Sequence, residues 1–286
     1  MLQLIVNGII MGSIIVLGSI GLTLTYGILN FANFAHGDFM AAGAYLCLFF
    51  LGLKLPFIVS IILSILVASG LGILLDCCLY RKLREKTPVT LLIASIGVAL
   101  FLRNLIQMIW GPQISYYSSE LQMAKKLPFG VKIKPDEIFI IITSFLLIIA
   151  VHFFLKKSKI GKAMRALSDN MQLAGIIGIE TEKIIFWTWG LGCALAAVGG
   201  IFLGLEVQLR PVMGWDVLLP VFAGVILGGI GSPYGAMAGG MIIGISQEVS
   251  TVFINPAYKS VVSFIILILV LLIRPEGLFG KKERRA

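Results

Sequence analysis

Charge is scarce in this 286-residue chain: Asp, Glu, Lys and Arg make up 13% against 58% hydrophobic residues, and mean hydropathy is +1.01. A soluble domain carries about 25% charged residues. The deficit therefore points to a chain whose solvent is lipid, and it excludes disorder, coiled coil and collagen. Cysteine is also rare. The four residues (Cys47, Cys77, Cys78, Cys193) lie inside apolar runs, which excludes a disulfide scaffold and reads as buried thiols rather than metal or redox work. No Lys or Arg precedes Lys54, so the amino terminus lacks the basic flank of a secretory signal peptide, and the first apolar run is expected to be retained. Catalytic signatures are missing too: there is no H-E-x-x-H, no G-x-S-x-G and no aspartate-rich pair. Nor is there a G-x-x-x-x-G-K-[ST] loop, since Gly161-Lys162 is followed by Ala163. No catalytic residue, metal site or cofactor is expected in this chain, and energy must come from a partner or an ion gradient.

What is present is apolar length and glycine. Runs at 3–26, 57–79, 89–110, 138–155 and 184–206 are each long enough to cross a membrane, and 258–273 reads as a shorter span. Residues 38–53 would extend only about 24 Å as a helix. The stretch 217–253 is too long for one span and is broken by Gly228, Gly229, Gly231 and Pro233. Small-xxx-small pairs such as Gly8/Gly12, Gly224/Gly228 and Gly240/Gly244 suit helices packed backbone to backbone. The fold class is thus all-α, a polytopic transmembrane helix bundle with about 8 membrane segments, one or two of them broken or re-entrant. All of 1–286 reads as one membrane domain.

The net charge of +9 is explained by topology better than by nucleic acid. Segments 80–88, 156–183 and the tail (Arg274, Lys281, Lys282, Arg284, Arg285) hold 15 of the 23 Lys and Arg, so all three are expected to be cytoplasmic, the carboxyl terminus included. Segment 111–136, with Lys125, Lys126, Lys132 and Lys134, must then face outward, against its own charge. Parity requires 217–253 to cross an even number of times, as two short spans or as one re-entrant hairpin. Irregular backbone at such a turn must be wrapped in protein or line a watery cavity. That makes Gly228, Gly229, Gly231 and Ser232 candidates for the translocation path. A weak similarity between 36–45 and 234–242 fits either an internal repeat or chance among small residues.

Between two apolar runs stand Asn30, Asn33, His36 and Asp38. Polar groups there suggest either the path itself or local roles, with Asp38 capping a helix that begins near Phe39 and the asparagines closing a turn. Asp76 and Arg103 lie on separate spans and can pair; Glu206, Arg210, Asp216 and Glu248 lie near span ends, where solvation costs least. Segment 156–183 reads as two short cytoplasmic helices. Ser158 caps the first, Ser168 or Asp169 the second with Gln172 as in a capping box, Gly175 and Gly178 mark the exit, and Thr181 caps the next span. Its apolar residues, Met171, Leu173, Ala174, Ile176 and Ile177, need a surface to cover.

In that segment, Gly161-Lys-Ala-Met-Arg-Ala166, Asp169-Asn170, Ala174 and Gly178-Ile179 resemble the coupling loop of branched-chain amino-acid ABC permeases of the LivH type. Gly21-Leu-Thr-Leu-Thr-Tyr-Gly27 with Asn33-Phe-Ala-His-Gly-Asp38, and Leu227-Gly-Gly-Ile-Gly-Ser-Pro-Tyr-Gly-Ala236, match as well. The resemblance spans nearly the whole chain and leaves 111–136 unmatched. It implies a bacterial inner-membrane permease subunit without catalysis of its own, paired with a second related permease. Two cytoplasmic ATPase subunits would bind ATP and Mg, and an external substrate-binding protein would deliver a small neutral amino acid. The loop at 161–179 would dock in an ATPase groove, with Gly161, Met164, Arg165, Ala166, Asp169, Asn170, Ala174, Gly178 and Ile179 in the coupling surface. A urea or amide permease of the same family is the alternative. An ion-driven transporter would rest on Asp38, Asp76 and Glu206 alone.

Overall fold

The structure, a computed structural model, describes residues 1–117, 125–126 and 130–280. Four of the five tail cations, Lys281, Lys282, Arg284 and Arg285, lie outside the described residues, as does much of segment 111–136. The elements are α1 (Leu2–Leu29), α2 (Ala35–Gly52) and α3 (Phe57–Leu75), whose π-helical turn Asp76–Tyr80 leads into the short α4 (Arg81–Leu83). There follow α5 (Pro88–Trp110), a two-residue antiparallel ladder of β1 (Lys125–Lys126) and β2 (Lys132–Ile133), and α6 (Pro135–Lys157). The chain continues through α7 (Lys159–Asp169), α8 (Met171–Ile176), α9 (Thr181–Glu206), α10 (Met213–Gly228), α11 (Pro233–Ser250) and α12 (Lys259–Ile273).

Among the described residues, 7 helical stretches are long and apolar enough to cross a membrane, and Met213–Gly228 is a shorter apolar helix. The protein is an all-α, multi-pass membrane bundle. The six runs expected from apolar length match α1, α3, α5, α6, α9 and α12. The stretch 217–253 is an antiparallel hairpin, α10 and α11, turning at 229–232. The short run at 38–53 begins earlier than its hydropathy indicates: α2 starts at Ala35 and gains a turn from small and polar residues that neighbouring helices cover.

Position in the bundle follows composition. Helices α1, α2 and α9 are inner helices, with 72% of the α9 span buried, whereas only 6% of the span ending in α12 is buried. The outer helices α3, α5, α6 and α12 present Ile62, Leu66, Phe101, Phe145 and Leu272 outward, where hydrocarbon is the natural solvent. Small residues set the inner spacing. A Cβ on Gly244 would overlap the Gly12 backbone where α1 and α11 cross, and one on Gly37 would overlap Gly214 where α2 meets α10. Such contacts replace the hydrophobic drive that lipid does not provide between helices. The cysteines divide: Cys47 and Cys193 are buried, while Cys77 and Cys78 are exposed. The expectation of four buried thiols is corrected by the π turn, which aims Asp76 and Tyr80 inward and the residues between them outward.

The two ends of the bundle differ. At one end Arg84 and Arg81 reach Glu182 of α9 at 2.8 and 3.1 Å, and α7 lies against the end of α1. At the other, Ser115 and Leu209 exchange backbone hydrogen bonds, and the Tyr117 hydroxyl donates to the Ala44 carbonyl.

Candidate functional site

The connector between α6 and α9 is built by local capping. The Ser158 hydroxyl accepts from the Gly161 N–H at 2.8 Å and starts α7. Gly161, Met164 and Leu167 then form a buried face, and Gly161 sits so close to α6 that a Cβ would overlap the Leu155 backbone. Arg165 and Asp169 stand on the exposed side; Ala166 is half-buried. The expectation that Ser168 or Asp169 caps α8 is corrected. Both remain inside α7, and Asn170, extended at φ −162°, accepts from the Leu173 N–H at 2.9 Å. The exit is a Schellman turn: Gly178 adopts φ +90°, its N–H donates to the Gly175 carbonyl, and the Ile179 N–H donates to Ala174. Gly175 lies within α8. Thr181 does not cap α9, because Glu180 occupies that position and makes no side-chain cap bond. Ala174 is buried, whereas Leu173, Ile176 and Ile177 are 56%, 82% and 67% exposed.

Of the polar residues around the start of α2, Asn33, His36 and Asp38 are packed inside the bundle, whereas Asn30 is exposed. Asn30 closes α1 in the left-handed region at φ 54°. Asn33 Oδ1 accepts from the Ala35 N–H at 3.1 Å, and His36 Nε2 donates to the Gly18 carbonyl at 2.9 Å. Asp38 is not a cap, since it lies in the first turn of a helix that has already begun. Its carboxylate accepts from Arg103 Nε and Nη2 at 3.1 and 3.0 Å, and the guanidinium sits 4.9 Å from the centre of the Trp215 ring. The expected pairing of Asp76 with Arg103 is therefore corrected: Asp76 accepts from Arg84 at 2.6 Å, eight residues along its own chain.

The α10–α11 turn meets the connector and the end of α1. Gly229 and Gly231 hold φ +101° and +79°, and Ser232 caps α11 by accepting from the Gly235 N–H at 3.1 Å. The Gly231 N–H donates to Thr23 Oγ1 at 3.0 Å. A Cβ on Gly27 would come within 3.0 Å of both the Gly231 backbone and the Ser168 hydroxyl of α7, and Gly231 lies at contact distance from the same hydroxyl. Gly228 abuts Gly235 across the hairpin. The end of α1, the turn and the connector thus share one contact.

At the opposite end a cavity of about 620 Å³ opens among Asn7 and Met11 of α1, Glu206 at the end of α9, Arg210, Met213 and Lys259. Arg210 Nη2 donates to Asp216 at 3.1 Å, and Lys259 donates to Glu248 at 2.6 Å. Glu206 Oε2 and Arg210 Nε are enclosed and have no hydrogen-bond partner among the described residues.

Residues 4–271 match the sequence family described as branched-chain amino acid transport system, permease component. The chain belongs to this family. It is 33% identical to the high-affinity branched-chain amino acid transport system permease protein LivH of Escherichia coli K12 over 99% of this chain and 96% of that one. Identity is 34% to the corresponding protein BraD of Pseudomonas aeruginosa, with the same coverage. It is 33% to a probable LivH of Methanocaldococcus jannaschii, over 99% and 95%. In fold, a chain of PsaBC from Streptococcus pneumoniae, solved in complex with Fab, is similar at TM-score 0.56, with 14% identity over 97% of this chain and 93% of that one.

In this permease the residues singled out by sequence separate into two groups. Gly161, Met164 and Ala174 shape the connector from inside, while Arg165, Asp169, Asn170 and Gly178 are exposed and Ile179 is half-buried. Asn33, His36 and Asp38 are buried, and neither they nor the turn 228–232 line the cavity. The cavity charges were read only as span-end charges. The available signal was their density: Glu206, Arg210 and Asp216 fall within eleven positions.

Proposed function

We propose that the chain is the membrane-embedded permease of an ATP-driven importer for branched-chain or other small neutral amino acids. It forms half of the translocation path beside a second related permease. Two ATPase subunits bind ATP and Mg on the cytoplasmic side, and a substrate-binding protein delivers from outside. The permease resides in the bacterial inner membrane with its carboxyl terminus cytoplasmic, an orientation supported by the basic segments at the α4, α7 and α9-start end. The observation that carries the reading is the capped α7–α8 connector of a chain in this family. It is capped at each helix start, stands at the basic end, and leaves Leu173, Ile176 and Ile177 exposed among the described residues.

Mechanically, a partner gripping α7 and α8 moves Ser168 against Gly27 and Gly231, so force enters at the end of α1 and the hairpin turn. Arg165, Asp169 and Gly178 form the exposed part of the docking surface, shaped from within by Ala174. The test is reconstitution in liposomes with ATPase and binding protein. Leucine uptake is expected to require ATP, and Arg165→Glu or Gly178→Trp should abolish ATPase capture while leaving membrane insertion intact. Uptake by the purified chain with no ATPase present would overturn the proposal.

A further inference from the structure

The cavity at the far end contains an unmet acceptor and an unmet donor. Among the described residues Glu206 Oε2 and Arg210 Nε each lack a partner, although the neighbouring charges are matched, Asp216 with the outer nitrogen of Arg210 and Glu248 with Lys259. Both side chains are partly exposed, Arg210 at 41%, but an enclosed polar atom left without a hydrogen bond is costly, so structures retain one mainly where something else supplies the partner. The rest of the lining is mixed: Met11, Leu203, Met213, Val217 and Pro220 are apolar, and Asn7, Gln208, Gln247 and Ser260 are polar. At about 620 Å³ the space falls within the range of small-molecule sites. One negative oxygen, one positive N–H and an aliphatic wall match the three parts of an apolar amino acid: ammonium, carboxylate and side chain.

We infer that this cavity is a subsite for the zwitterion of an aliphatic amino acid, with Glu206 receiving the α-ammonium and Arg210 Nε donating to the α-carboxylate. Both groups are screened by neighbours in the ligand-free protein, and a rotamer change at each turns it toward the ligand. Lys259 stays with Glu248, while the turn of Arg210 releases Asp216 to solvent. The side chain of the ligand lies against Met213, Val217 and Pro220. The choice of an amino acid rests on the transport reading above, while the demand for two opposite charges comes from the cavity itself.

The test uses the purified permease in lipid nanodiscs and three probes sharing one aliphatic chain. These are L-leucine, L-leucinamide, which lacks the carboxylate, and 4-methylpentanoate, which lacks the ammonium. Leucine is expected to bind at least about tenfold more tightly than either analogue, the weight of one charge-assisted hydrogen bond. Glu206→Gln should weaken leucine by about tenfold and leave 4-methylpentanoate unchanged, while Arg210→Gln should weaken leucine similarly and leave leucinamide unchanged. Undetectable leucine binding or equal affinities in the wild-type chain overturn the subsite with no variant needed. So do variants that melt earlier yet keep the wild-type probe preferences, because then the two groups serve only the fold. ATP-dependent leucine uptake by the wild-type permease with its ATPase and binding protein separates the two proposals. Uptake without probe selectivity removes the subsite alone; absence of uptake removes the transport reading.

Discussion

The Asp38–Arg103 pair offers the sharpest test of how the inner helices are held. Asp38 is 0% exposed and accepts two hydrogen bonds from a guanidinium that also faces Trp215, so one group ties α2 to α5 and touches α10. Replacing Arg103 with Met leaves a carboxylate stranded where water cannot reach it, a change that costs about 3–5 kcal/mol for buried pairs in general. Asp38→Asn strands the guanidinium instead, but Arg103 is partly exposed, so its loss should fall at the lower end of that range. The double variant removes both charges and replaces the pair with neutral contacts. Its cost should therefore be well below the sum of the single costs, with a coupling of at least about 1.5 kcal/mol. Denaturant titration of the purified protein in mixed micelles, followed by tryptophan fluorescence, measures all three. Additive losses, or single losses below about 1 kcal/mol, would refute the claim that this pair is a buried structural tie.

Three further outcomes follow from the same geometry. Gly244→Val should push α11 away from α1, because the new side chain would occupy the Gly12 backbone; a loss of about 1–3 kcal/mol or more, typical of overpacking, is expected in the same titration. Ser158→Ala and Asn170→Ala each remove one cap, worth about 0.5–2 kcal/mol, and should speed amide exchange within 159–176 while leaving α1 and α9 unchanged. Arg84→Met breaks contacts with both Asp76 and Glu182, and should loosen the first turn of α9 in hydrogen exchange more than Arg81→Met, whose single partner is exposed.

Much of this architecture can be read from the sequence, because lipid enforces a strict rule: about 20 apolar residues per crossing. That rule locates α1, α3, α5, α6, α9 and α12, and the glycines before Pro233 mark the turn between α10 and α11. The start of α2 escaped because Ala35, His36 and Gly37 are not apolar enough to count, yet the Gly18 carbonyl and the Gly214 backbone accommodate them. Charges showed which residues needed partners but not how helices were rotated, so Asp76 was matched to Arg103 when the π turn brought Arg84 back to it. The second cap missed by one position, since Asp169 and Asn170 both suit the role and only the extended backbone of Asn170 aims its side chain at Leu173. The cavity was illegible for a different reason. Its walls come from four separate stretches of chain, and nothing local marks a carboxylate or guanidinium as unmatched.

The glycine seams have a mechanical consequence. At Gly12 and Gly244 the backbones of α1 and α11 touch directly, and the side chains of Val16, Met241 and Ile245 seat in the notches left by Gly240, Gly12 and Gly8. Each notch keys one helix to the other along its axis, so α1 and α11 should travel as one body when force reaches the end of α1, and relative motion is left to seams with fewer such keys.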